Sequence, residues 1–189
     1  MRNRNPERKI TTLKATLDAH FHAKMKNLNI ALPAIIQSYD PTSKRAKVLP
    51  AIDTLFATGK SQAKPPLANV PVLMPSGGGF TATFPLRKGD AVMLLVSQRG
   101  IAEFKKAYKR VLPTRTSFFS LVDAVAIPGF GGRNITPAKP GTATLQTESG
   151  TDFVSIGSGS AEIRTTGTLT IDASTVNINA RHLNITRKS

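Results

Sequence analysis

The sequence predicts an all-β protein: an OB-fold barrel followed by a trimeric, intertwined triple-stranded β-helix, with a short α-helix ahead of both. Three observations carry this. Short apolar runs alternate with glycine- and proline-bearing turns from residue 31 to residue 127, as in a strand-rich domain. A Pro- and Gly-rich stretch, PGFGGRNITPAKPG at 128–141, then marks a boundary. Beyond it, LTIDASTVNINARHLNIT (169–186) repeats every seven residues. The expected segments are a helical region at 1–30, the barrel at 31–130, a linker at 131–141 and the β-helix at 142–189.

The helix is expected over residues 6–28, where Ile10, Leu13, Leu17, Phe21, Met25 and Leu28 recur at three- or four-residue steps among polar side chains. Pro6 suits a helix start. Its apolar stripe has three possible destinations: its own domain, a partner, or a membrane surface.

In the barrel, ALPAIIQSYDPTSKRAKVLPAI reads as a hairpin turning at Asp40-Pro41-Thr42-Ser43. VPVLMPSGGGFTATFPLRKGDAVMLLVSQRG supplies three further strand candidates, separated by Ser76-Gly77-Gly78-Gly79 and Arg87-Lys88-Gly89-Asp90. Residues 101–111 suit a short helix, and SLVDAVAIPGF closes the domain. About five short strands in under a hundred residues favour a small barrel of the OB type.

The repeat opens each pass with two apolar residues one position apart: Leu169/Ile171, Val176/Ile178 and Leu183/Ile185. Residues i and i+2 share one face of a strand. Looser passes carry Val154, Ile156 and Ile163. Seven residues reach only about 23 Å at about 3.3 Å each, roughly one side of a three-sided prism. Two aliphatic side chains per pass also stabilise too little to offset the ordering of seven backbones. Three chains wound together solve both problems, with Val154, Ile156, Ile163, Leu169, Ile171, Val176, Ile178, Leu183 and Ile185 on a shared axis, so a homotrimer is expected. An ordinary antiparallel meander is the competing arrangement.

The formal net charge is +15. Residues 1–60 carry +7 (11 basic against 4 acidic), residues 61–140 carry +8 (11 against 3), and residues 141–189 are neutral (4 against 4). With no cysteine, disulfides and thiolate metal sites are excluded. No cleaved signal peptide and no membrane-spanning run is expected, so synthesis as a soluble cytoplasmic product is the expectation.

With these parts in place, the chain resembles the central spike proteins of contractile-tailed phage baseplates, in a short form. The resemblance rests on LPAIIQSYDPTSKRAKVLPAI (32–52), VPVLMPSGGGFTATFPLRKGD (70–90) and FFSLVDAVAIPGF (118–130). It implies a virion protein at the tail tip, whose OB domains join hub or tail-tube proteins and whose β-helix pierces the host outer membrane when the sheath contracts. Members of this family often end in His-x-His, which holds an apical iron. This chain ends RHLNITRKS, so no iron or other cofactor is expected. His182 and Ile185 would lie near the tip, with His182 facing outward and a separate tip protein able to sit on Ile185.

Other signals point to no chemistry. His20-Phe21-His22 lies in the expected helix, where alternate residues do not share a face. Ser76-Gly77-Gly78-Gly79 lacks the Lys-Ser or Lys-Thr of a phosphate loop. Asp90 and Asp123 sit in turn or strand-end contexts with no evident partner. No catalytic residues and no enzymatic activity are expected. The alternative function is a basic OB-fold protein that binds nucleic acid. It is disfavoured because Phe80/Phe84 and Phe118/Phe119 are expected in the core rather than free to stack on bases. A receptor-binding fibre would need a recognition domain after the repeat, which is not expected here.

Overall fold

The computed structural model describes residues 12–26, 28–56, 58–129 and 135–186. The chain folds as two compact units, Met1–Gly132 and Arg133–Ser189.

In the first unit, α1 spans Leu13–Lys26. Thr12 caps it, its Oγ1 accepting from the Ala15 amide at 3.3 Å. The earlier turns expected around Pro6 and Ile10 lie outside the described residues. Leu13, Leu17, Phe21 and Met25 are all exposed, so α1 is not packed on its own domain.

The strands follow in chain order: β1 (Ala31–Asp40), β2 (Arg45–Pro50), β3 (Thr54–Leu55), β4 (Ser61–Gln62), β5 (Leu67–Pro71), β6 (Ser76–Gly77), β7 (Phe80–Thr81), β8 (Ala91–Val96) and β9 (Ala124–Pro128). A six-residue helix, α2 (Ala102–Ala107), and a 3-10 turn at Leu121–Asp123 lie between β8 and β9. Five strands make the main sheet in the order β5-β2-β1-β8-β9, with every adjacent pair antiparallel. Its two edges curl toward each other and touch through a parallel bridge, Val72 to Ala126, where the Leu73 amide donates to the Ala126 carbonyl at 2.8 Å. The result is a curled half-barrel.

Alternation builds the interior. Leu32, Ala34 and Ile36 of β1, Ala46 and Val48 of β2, and Val92, Leu94 and Val96 of β8 point inward, while their neighbours are more exposed. A register shift around Gln37 lets β1 bend, as β-bulges do in curled sheets.

The turns form from local chemistry. Asp40 accepts from the Thr42 amide (2.9 Å) and the Ser43 hydroxyl (2.6 Å), and these bonds, the hydroxyl first, hold its carboxyl below the usual aspartate value. Gly78 and Gly79, at φ 58° and 85°, form the two-residue loop between β6 and β7, a geometry that favours glycine. The Arg87–Asp90 turn closes with the Asp90 amide donating to the Arg87 carbonyl and the Arg87 amide donating to the Asp90 carboxylate.

Two expectations are corrected here. The first unit's core is filled by aliphatics and Met74, leaving outside it three of the four phenylalanines expected there: Phe80 is 83% exposed in its two-residue strand, Phe118 and Phe84 are exposed in loops, and Phe119 is half-buried. The aspartates also have partners. Asp90 accepts from Arg87, and Asp123 is buried with its Oδ1 accepting from the Ile101 amide at 3.1 Å.

The second unit holds a three-stranded antiparallel sheet, β10 (Ala143–Gln146), β11 (Phe153–Gly157) and β12 (Ser160–Arg164), in that order. Gln146 fastens the expected linker to it, accepting from the Ala138 amide (2.7 Å) and donating to the Thr136 carbonyl (2.9 Å). Asp152 accepts from the Thr166 amide (2.7 Å) and the Thr151 hydroxyl (2.9 Å), and the Thr166 bond leads in lowering its pKa. Lys139 pairs with Glu162.

The two looser passes differ from a stack of parallel coils. β11 and β12 pair antiparallel within one chain through a Ser158–Gly159 turn, with Gly159 at φ 75°. A tight glycine turn allows neighbouring segments to pair without a second chain. Residues 165–186 form no helix or strand.

Candidate interaction surfaces

Three surfaces of the two units carry features that packing within one chain does not use. The first is an apolar groove of about 560 Å³ in the first unit. Leu73, Met74 and Pro75 come from the segment before the β6–β7 hairpin, Phe84 and Leu86 from the segment after it, and Ile127, Pro128 and Gly129 from the end of β9. Two of the three stretches that carry the spike resemblance thus meet in space. The curl responsible is the one that brings Val72 against Ala126.

The second surface surrounds α2. On one side, Arg45, Lys105 and Arg115 line a hollow of about 340 Å³ with Asp123 among its walls. Arg115 lies 3.8 Å from the Asp123 carboxylate. Burial lowers the Lys105 pKa; Asp123 opposes the shift, while Arg45 and Arg115 add to it. On the other side, Arg99, Phe104, Lys109 and Arg110 line a hollow of about 380 Å³. Sequence reasoning missed this surface. The basic spacing in AEFKKAYKR was its visible signal, but nothing local showed that Arg45 and Arg115 would join it.

The third surface is the set of expected axial residues. Val154 and Ile156 share a face of β11, and Val154 stands in register with Leu145 and Ile163 on the flanking strands. All four side chains are exposed, as are Leu169, Ile171, Val176, Ile178, Leu183 and Ile185. His182 is exposed too. The structure therefore brings Val154, Ile156 and Ile163 together on one sheet and leaves the later pairs without a partner strand among the described residues. Arg187, Lys188 and Ser189, which follow the expected tip, lie outside the described residues.

His20 and His22 are exposed on α1, where His22 Nδ1 contacts the Asp18 carbonyl at 2.7 Å. Among the described residues, no three of His, Cys, Asp and Glu gather as a metal site. No described helix is long and apolar enough to cross a membrane.

The half-barrel and its convergent stretches belong to a class of phage structural proteins, components of the virion. Residues 32–129 match the model of the family described as the phage protein Gp138 N-terminal domain, and the chain belongs to that family. No curated protein matches the chain.

Proposed function

We propose that this phage structural protein is the homotrimeric central spike at the tip of a contractile tail tube. Its N-terminal domain attaches to baseplate hub or tail-tube proteins, and its C-terminal unit is driven through the host outer membrane when the sheath contracts. The role is mechanical, with no catalysis and no bound cofactor, and a separate protein seated on Ile185 would supply the point.

One observation carries this reading. Six aliphatic side chains from Leu169 to Ile185, paired two apart on a seven-residue period, are each more than half exposed, in a stretch with no strand partner among the described residues of its own chain. A monomer rarely leaves so many periodic apolar side chains in water. Three copies wound about one axis would bury it and pair every backbone, so a spike loaded along its length would have no free edge from which to unravel. The partly open five-stranded barrel supports an OB-type body.

The solution mass, measured by light scattering at low and high salt, tests the proposal. A mass three times that of the chain, unmoved by salt, is expected. Ile178→Asp, which would place three carboxylates on the axis, should abolish the trimer, whereas Asn177→Asp on the outward column should not. A monomeric wild type would overturn the spike.

A further inference from the structure

Residues 97–123, between β8 and β9, combine three features that barrel packing leaves unexplained. The first is aromatic rings held in water. Phe104, Tyr108 and Phe118 are all exposed, with Phe104 and Tyr108 meeting edge to face at 5.8 Å. The Arg99 guanidinium lies over the Phe118 ring, 4.0 Å from its centroid, a stacked cation–π pair.

The second feature is concentrated positive charge beside those rings. Arg99, Lys109 and Arg110 share one hollow with Phe104, and Arg45, Lys105 and Arg115 line the other across α2. Asp123, buried, and Glu103, which pairs with Lys106 at 2.9 Å, are the carboxylates among them. The cations outnumber them.

The third is a strained backbone. Tyr108 ends α2 at φ 48°, ψ 36°, in the left-handed region where glycine usually closes a helix. The residue is 77% exposed, and its contact with Phe104 is the ring contact it gains in return. A strained residue that does not repay its strain in packing points to a use for its side chain.

We infer that α2 and the hollows flanking it bind single-stranded nucleic acid, the phosphates lying along the cations and the bases stacking on Tyr108 and on the Arg99–Phe118 pair. Cationic grooves beside exposed rings bind single strands this way, because every base offers a flat face. An acidic protein would need the charges but would leave the strained, solvated tyrosine without a purpose. The core placement that disfavoured nucleic acid from sequence does not hold for Phe80, Phe84 or Phe118. The inference does not depend on the spike assignment, because the whole face lies within one chain's first unit.

The test is fluorescence anisotropy of the full chain with a labelled oligothymidylate of about 20 nucleotides, with polyglutamate measured in parallel. Binding should weaken as salt rises from about 50 to about 200 mM, with a log–log slope of about −0.7 per cation engaged. Tyr108→Gly relieves the left-handed strain, so its melting temperature should hold or rise while oligonucleotide affinity falls about tenfold. Arg110→Gln should flatten the slope by about 0.7. Failure of the wild type to bind, or a Tyr108→Gly variant that binds as tightly as the wild type, would overturn the inference. Polyglutamate bound as tightly as the oligonucleotide would also overturn it, in favour of an acidic protein surface. The light-scattering mass judges the spike separately from all three outcomes.

Discussion

Replacing Asp123 with alanine should loosen the whole segment between β8 and β9. The Asp123 side chain is 2% exposed, and its Oδ1 accepts from the Ile101 amide at the start of α2. A hydrogen bond to a charged acceptor contributes about 1.5–3 kcal/mol. The Arg115 contact, at 3.8 Å with Arg115 itself nearly half exposed, adds at most about 1 kcal/mol. Asp123→Ala should therefore cost about 1.5–4 kcal/mol, a drop of roughly 3–16 °C in the melting temperature followed by circular dichroism. Asp123→Asn keeps an acceptor for Ile101 and removes only the charge, so it should cost less. Because Asp123 raises the Lys105 pKa against burial and two arginines, both variants should move that pKa further down in a carbon-detected NMR titration. An Asp123→Ala protein that melts with the wild type, or a Lys105 titration that stays put, would refute this account of the loop.

Two further outcomes follow from the packing and the titrations. Leu94 is fully buried in the central part of the main sheet, so Leu94→Ala should cost about 2–5 kcal/mol in urea unfolding through lost transfer energy and a residual cavity. The Asp152 carboxyl is held below the ordinary value of 3.8, chiefly by the Thr166 amide. A depressed folded-state pKa means the contribution is present above the unfolded value and lost as pH falls through the folded one. The Thr166 amide resonance should thus titrate with a midpoint below that of an ordinary aspartate, and Asp152→Asn should remove that acid-range shift.

Much of the first unit was legible in the sequence because its signals act over three or four residues. The Asp40 turn needs only a carboxylate two positions before an amide, and the Gly78–Gly79 loop needs only residues that accept positive φ. Inward alternation along β1 likewise follows from the period of a strand. The α2 surface was not legible, because Arg45 of β2 joins Lys105 and Arg115 of the 97–123 connection only once the chain has folded. The exposure of Phe80 and Phe118 was hidden for a related reason: an apolar residue does not announce whether the interior has room for it.

By itself the sequence determined where the chain turns, which strand faces are apolar, where a Pro- and Gly-rich stretch changes its texture and that the terminal repeat has a seven-residue period. Tertiary structure alone decided that β1 lies between β2 and β8, that the segment after β5 meets β9 in parallel, and that β11 pairs with β12 antiparallel within one chain. Turns and alternation are set by local dihedral angles and hydrogen bonds. Neighbours across a sheet are set by curvature and by competition for buried volume among segments distant in sequence. Asp123 shows the difference: its place before β9 is local, but its partners Ile101 and Arg115 reach it only across the long connection between β8 and β9.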